Sequence, residues 1–357
     1  MKALAPSFEV GSQARWPNML GIGPAKSGST ITADMLSWTG KVVLGSMECC
    51  RGETQFLVKE ELFGKGLSRY RDFFEEITKE GVVAYYDKTP SYDTDFLVPF
   101  RALAFLGPKL KLIFTMRNPV DLDASQYFHF KVHQAKVLYS DWLRLRMRKY
   151  EELATCRSNA YGRLPRTKDP ELRRLDEKET SLRDLYNASY YSVAEAGFVE
   201  DAIARQCPDA KEHVNMLGSQ LYAANLRRWI RLFPSKDSLF CYSNEDLLRD
   251  RLDVKTRLFD FVGIDPKKFI AADKQFDPPD ANRTLHRLAA ATDDILAARQ
   301  LETTSKNTDD IVDSILTSQQ LLVDYLASHT SCSDVRRLED ICGYAPSYDS
   351  FKRCQLP

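Results

Sequence analysis

The 357 residues carry 50 Lys+Arg against 50 Asp+Glu, a formal net charge of zero. With 43% hydrophobic and 28% charged residues, the chain is not disordered, collagen-like or a disulfide miniprotein. The charge balance excludes nucleic-acid binding by bulk charge, and no run of about 18 apolar residues supplies a transmembrane helix.

The segment 1–18 lacks an apolar stretch of signal-peptide length, so a soluble chain without an integral membrane segment is expected. Pro17–Gly23, an apolar run ending in glycine, reads as a buried strand. Ser29–Trp38 reads as a helix, with Ser or Thr available to cap it. Tyr70–Thr78 is amphipathic and helical. Val82–Tyr86, Lys111–Met116 and Leu239–Tyr242 read as further strands, the middle one most clearly. Helical patterns between them predict a parallel sheet with helices on both faces.

Lys131–Asn215 is polar, helical in pattern and without a strand, and reads as an insertion. Within it, residues 144–174 hold ten Lys/Arg against four Asp/Glu. That excess is either a set of solvated helix faces or a basic wall beside a cleft for an anionic substrate. Asp293–Cys342 reads as a helical tail. Eight Cys occur without CxxC spacing, which argues against zinc and leaves buried or idle thiols as the ordinary reading. Cys332 and Cys342 are candidates to pair, which the sequence does not decide. Asn187-Ala-Ser and Asn282-Arg-Thr fit the glycosylation pattern and matter only in the secretory pathway.

Gly23-Pro-Ala-Lys-Ser-Gly-Ser-Thr30 follows the first strand and opens a helix. Successive backbone N–H groups and a helix N-terminus form an anion site in that context. Lys26 adds a full positive charge, and Ser27, Ser29 and Thr30 add hydroxyls beside Gly28. The loop is not a Walker A motif: Gly23 and Gly28 have the spacing, but Ser29 stands where the lysine belongs. An ordinary glycine turn is the bland alternative.

Lys88, in Asp87-Lys-Thr-Pro-Ser-Tyr92, falls at the C-terminal end of the second strand, where ligands sit in open α/β sheets. Arg117 falls at the end of the third. Pro119 can start a helix that carries Ser125 about two turns on. An Arg fork with a hydroxyl suits a second phosphate. Two separate grips imply a ligand with two phosphate-like groups. The expected fold is α/β: one P-loop-like domain over 1–357 with a central parallel sheet flanked by helices. Its core spans about 17–130 and 216–270, its helical insertion about 131–215 and its helical C-terminal region about 285–345.

In this order the blocks resemble the sulfotransferases that use 3′-phosphoadenosine 5′-phosphosulfate (PAPS). Pro24-Ala-Lys-Ser-Gly-Ser-Thr30 resembles the family's 5′-phosphosulfate loop. Arg117-Asn-Pro-Val, with Ser125 eight residues after the Arg, resembles its 3′-phosphate motif. The segment 217–234 resembles its later helix, and a strand with Glu245-Asp-Leu-Leu follows. The likeness runs in blocks from about Asn18 to Gly263. It is closer to the Golgi carbohydrate branch than to the cytosolic phenol and steroid branch. The latter uses a histidine base, whereas here no His precedes His129 and Glu53-Thr-Gln-Phe-Leu57 resembles the heparan-type glutamate context. The segment 217–234 and Gln319–Tyr325 also resemble chondroitin-type 6-sulfotransferases.

The resemblance implies PAPS as donor, the bisphosphate PAP as product and no metal. It implies Glu53 as general base, Lys26 and Lys88 as catalytic lysines, and nucleotide contacts from Lys26, Ser27, Gly28, Ser29, Thr30, Arg117 and Ser125. His129 resembles a histidine that contacts acceptor sugar. The expected acceptor is a hydroxyl or amine of a glycan or small metabolite, with Tyr186–Tyr191 as candidate lining. The expected compartment is the cytoplasm as the chain stands, or the Golgi lumen after removal of an upstream anchor. The chain departs from the pattern in two places. The heparan-type Lys-Gly-Arg loop is missing, with Lys306 or Arg283 as candidate substitutes, and Asp121-Leu-Asp follows Asn-Pro-Val. Two other readings remain open, a P-loop-like kinase using ATP and Mg²⁺ and a non-catalytic nucleotide-binding module.

Overall fold

The computed structural model describes residues 16–47, 50–74, 81–130, 137–163, 206–207, 221–270, 318–326, 328, 338 and 340–342. Short apolar runs build its strands: β1 (Met19–Gly21), β2 (Val42–Leu44), β3 (Ser46–Met47), β4 (Cys50–Arg51), β5 (Ala84–Lys88), β6 (Lys111–Met116) and β7 (Leu239–Ser243). Five of them form a parallel sheet in the order β2-β5-β1-β6-β7. β3 and β4 form a separate antiparallel ribbon.

Alternation along the strands splits the core in two. Leu20, Val43, Leu112, Phe114 and Met116 bury one face. Met19, Val42, Ala84, Tyr86 and Ile113 bury the other. A sheet covered on both faces is what parallel pairing requires. The helices α1 (Ser29–Trp38), α2 (Glu60–Phe63), α3 (Gly66–Arg71), α4 (Val98–Leu106), α5 (Pro119–His129) and α6 (Tyr139–Arg163) come from the first half. Then follow α7 (Tyr222–Leu232), α8 (Asn244–Arg249), α9 (Arg251–Val262) and α10 (Pro266–Ile270). α4 and α7 contribute Val98, Ala102, Leu226 and Trp229 to the first core. α1 and α9 contribute Leu36, Val254 and Leu258 to the second.

The parallel α/β sheet expected from the sequence is present, with corrections. β5 lies two residues later than Val82–Tyr86, so Asp87 and Lys88 belong to the strand itself. β2 and the ribbon were not anticipated. Of the helix expected at Tyr70–Thr78, residues 70–71 end α3, residues 72–74 form a turn and bend, and residues 75–78 lie outside the described residues. Tyr70 stacks on Phe56 at 4.2 Å, and Phe73 and Phe74 are buried in the same core. α1 has Gly28 at its N-cap, and no side chain caps it among the described residues.

Of the proposed insertion, α6 is helical, as are residues 318–326 of the tail. Arg146 in the basic segment points inward. Its guanidinium pairs with the fully buried Asp123, donates to Gln126 Oε1 at 3.2 Å and lies 4.1 Å from the Trp142 ring centroid. Tyr139 Oη also donates to Asp123, at 2.6 Å. Arg144, Arg148 and Lys149 instead pair with acids along α6, as solvated helix faces do.

Two disulfides correct the idle-thiol reading. Cys156 joins Cys207, and Cys342 joins Cys241 of β7 rather than Cys332, which lies outside the described residues.

Two stability outcomes follow. Arg146→Ala leaves Asp123 charged and uncompensated in the core, which costs about 3–5 kcal/mol. Cys342→Ser opens a loop of 101 residues and costs about 2–5 kcal/mol. Chemical denaturation of each variant beside the parent measures both.

Candidate active site

The loop after β1 is held from below. Ile22 N donates to Ile113 O at 2.9 Å. Ser27 Oγ donates to Pro24 O at 2.7 Å and lies 2.6 Å from Thr115 Oγ1. A Cβ on Gly23 would collide with Thr115 Oγ1 and lie 2.7 Å from the Thr115 backbone, so glycine is needed for this close approach. Lys26 (φ +74°) and Gly28 (φ +99°) are both left-handed, which curls the loop onto the start of α1. For a lysine that backbone is uncommon and is kept only where surroundings enforce it.

Glu53 reaches this loop from the other side. It follows the ribbon, and Lys88 N donates to Gly52 O at 2.6 Å. Lys88 Nζ then donates to Glu53 Oε1 at 2.8 Å and to Thr30 Oγ1 at 3.3 Å. The Lys88 side chain is 3% exposed and that of Glu53 22%, so the lysine is buried and the carboxylate is the accessible partner. Thus residues from α1, the ribbon and β5 converge.

Beneath the pair lies Asp87, fully buried. Its carboxylate accepts from Thr54 Oγ1 (2.6 Å), Tyr92 Oη (2.6 Å), Tyr70 Oη (2.7 Å), Thr89 Oγ1 (2.9 Å) and Thr54 N (3.3 Å). Burial pushes its carboxyl above the ordinary range, and the hydroxyl donors oppose that shift.

Arg117 directly follows β6 and is buried. Its Nη1 donates to Lys26 O at 3.4 Å. Its own backbone is fixed by Tyr222 of α7, whose hydroxyl donates to Arg117 O at 2.7 Å. Asn118 caps α5 by accepting from Val120 N at 3.0 Å, and its own N–H donates to Glu245 Oε1 at 2.8 Å. Ser125 lies on the buried face of α5, and its Oγ has no hydrogen-bond partner among the described residues. Gln126 Nε2 donates to Ala25 O at 3.3 Å, tying the same turn of α5 to the loop.

His129, exposed at the end of α5, senses both halves of the site. Burial and the Lys26 ammonium lower its pKa, and Glu53 opposes them. A neutral imidazole at pH 7 can both donate and accept.

The structure therefore gathers Lys26, Ser27, Gly28, Ser29, Thr30, Glu53, Lys88 and Arg117 around one loop. Ser125 and His129 come in on α5. Sequence reading missed Asp87, Thr115, Tyr222 and the backbone role of Glu245. The available signal was polarity inside strand patterns: Asp87 and Thr115 interrupt apolar runs. Lys306, Arg283, Tyr186–Tyr191, Asn187 and Asn282 lie outside the described residues. Among those described, no cluster of three His, Cys, Asp or Glu side chains suits a metal ion, and no helix is long and apolar enough to cross a membrane.

No protein-family model matches the chain. Its sequence is 29% identical over 119 residues to the human bifunctional heparan sulfate N-deacetylase/N-sulfotransferase 2, covering 33% of this chain and 13% of that protein. It is 29% identical over 123 residues to the Xenopus laevis bifunctional heparan sulfate N-deacetylase/N-sulfotransferase 1, covering 34% and 14% respectively. Over that third of the chain the sequence is similar to these relatives. The likeness read from the motifs, to the carbohydrate branch of the PAPS-dependent superfamily, is thus matched by named relatives. The match spans about one seventh of their length. A sulfotransferase crystal structure from Alicyclobacillus acidocaldarius superposes with a TM-score of 0.44 at 16% identity, over 93% of this chain and 98% of that one.

Gly23→Ala is expected to force the loop off β6 by overpacking, with a loss of about 1–3 kcal/mol. Thermal unfolding of the variant and the parent measures it.

Proposed function

We propose that the chain is a sulfotransferase that takes PAPS as donor and a hydroxyl or amine of a glycan or small metabolite as acceptor. The observation that carries this reading is the contact of Lys88 Nζ with both Glu53 Oε1 and Thr30 Oγ1. It sets a carboxylate and an ammonium group side by side at the mouth of an anion-binding loop. The named relatives are bifunctional heparan sulfate N-deacetylase/N-sulfotransferases, matched over about one seventh of their length, which supports the amine or glycan reading.

The residues fit the donor. Lys26 and the N–H groups opening α1 suit the 5′ end of such a nucleotide. Arg117 and the unpartnered Ser125 Oγ suit a 3′-phosphate. PAPS would supply the sulfuryl group. In this reading Glu53 removes the acceptor proton, a contribution of about 10²–10⁴-fold. Lys26 and Lys88 hold the negative charge that develops on the leaving side. His129 orients the acceptor hydroxyl or amine. The lysines supply the countercharge without a metal ion. Between the two compartments expected from the sequence, the disulfides Cys156–Cys207 and Cys241–Cys342 favour an oxidising one.

Calorimetric titration with adenosine 3′,5′-bisphosphate, beside ATP with Mg²⁺, tests the donor. Tight metal-free binding of the bisphosphate alone is expected, and a preference for ATP with Mg²⁺ overturns the reading in favour of a kinase. Arg117→Ala should weaken the bisphosphate by about 10-fold or more, the scale of a charge-assisted contact. Glu53→Gln should cut transfer by about 10²-fold or more while leaving bisphosphate affinity within about two-fold. A variant that still turns over shows that Glu53 is not the base.

A further inference from the structure

We propose that Asp87 is a positioning residue that sets Glu53 against Lys88, an inference that rests on the sulfotransferase reading above. Asp87 directly precedes Lys88, and Thr54 directly follows Glu53. The Asp87 carboxylate accepts from both Thr54 Oγ1 (2.6 Å) and Thr54 N (3.3 Å). On the other side of Glu53, Gly52 O accepts from Lys88 N at 2.6 Å. The two residues that flank Glu53 in sequence are therefore bonded to the two adjacent residues that end β5. Glu53 has little freedom of its own, because its backbone is pinned on both sides.

The clamp extends along the loop. Gln55 N donates to Thr89 Oγ1 at 3.1 Å, and Thr89 Oγ1 donates in turn to Asp87 at 2.9 Å. Leu57 N donates to Tyr92 Oη at 3.4 Å, and that hydroxyl donates to Asp87 at 2.6 Å. Phe56 N donates to Thr54 Oγ1 at 3.2 Å. Residues 54–57 thus hang from one carboxylate, directly or through a single hydroxyl. Gln55 is held at φ +53°, a strained backbone that such a network can enforce. Asp87 itself does not reach the surface: it is fully buried, and its four side-chain donors come from Thr54, Tyr70, Thr89 and Tyr92. It acts on the reaction only through the residues it holds.

A displacement of about 1 Å in a reacting group can cost about 10²-fold in rate. Two variants loosen the clamp without touching Glu53, Lys88 or the loop at 23–30. Thr54→Val removes the hydroxyl and keeps the shape. Asp87→Asn keeps the shape, and the surrounding hydroxyls can rotate to meet its amide. The readout is the slow release of PAP from PAPS with water as acceptor, together with transfer to N-desulfated heparan sulfate. Both are normalised to the number of bisphosphate sites counted by calorimetry. The expected result is a fall in turnover per site of about 10–100-fold, with bisphosphate affinity within about two-fold of the parent and recovery in Thr54→Ser. Unchanged turnover per site in Thr54→Val and Asp87→Asn overturns the clamp. A parallel loss of bisphosphate sites and turnover also overturns it, because Asp87 is then a folding residue. Glu53→Gln is assayed alongside. If it keeps turnover, the base assignment fails and takes the clamp with it. If it loses turnover while the Thr54 and Asp87 variants keep theirs, only the clamp fails.

Discussion

The hydrogen bond from Lys88 N to Gly52 O, 2.6 Å long, holds the arrangement around Glu53 and Lys88 together. It docks the β3–β4 ribbon onto the last residue of β5. Without it, Glu53 and Lys88 have no reason to meet, since 35 residues separate them in the chain. The sheet supplies the other half of the geometry. β5 and β1 run in parallel with Gly21 opposite Lys88, so the end of β5 lies beside the start of the loop at 23–30. β1 pairs on its other side with β6, which brings Arg117 to the same edge. Parallel pairing thus delivers three strand ends to one side of the molecule, as open α/β sheets do at their binding crevices. A glycine opposite Lys88 also matters. A Cβ on Gly21 would lie 3.2 Å from Lys88 Cγ and collide with the Tyr86 hydroxyl, so the lysine stem crosses β1 only because no side chain is there.

The sequence made the repeated part of this fold legible and left the tertiary part hidden. β6 is apolar at Leu112, Ile113, Phe114 and Met116, interrupted only at Thr115 after Lys111 opens it, and its bounds can be read directly. α1 can be read because glycine ends at Gly28 and Ser and Thr, which suit a helix start, lead into Ala33-Asp-Met-Leu36. β5 is harder, since Asp87 and Lys88 look like the start of a loop. They remain in the strand because the carboxylate finds five donors, on residues 2 to 33 positions away, and the ammonium a carboxylate 35 positions away. β2 and the ribbon are too short to show a period of two. Cys241 and Cys342 could not be matched from spacing, because 101 residues separate them and only folding brings β7 to the tail. Among the site residues, the glycine-rich loop and Arg117 stood out by their place after apolar runs. Glu53 was legible only through its resemblance to a family pattern. Its isolated glutamate has no local feature that separates it from any solvated acid.

Charge around Arg117 is finely balanced, and this bears on what the proposed site can accept. Arg117 is a buried guanidinium, and such a charge is costly unless paired. Glu245 and Asp121 both act on it electrostatically. Burial raises the pKa of each carboxyl, and Arg117 pulls each back down. Glu245 is committed to the Asn118 N–H through Oε1, while its Oε2 is buried without a partner among the described residues. The neighbouring Asn244 Oδ1 is in the same condition. Two acidic groups close to one arginine leave little net positive charge there. An anion held at this place must therefore be gripped by directed donors rather than by bulk field. The backbone N–H groups of the loop, the guanidinium fork and a serine hydroxyl are donors of that kind. The two-grip anion site proposed above therefore needs no excess positive charge on a chain whose total charge is zero. Tyr222, buried behind Arg117, fixes the backbone that carries the guanidinium fork.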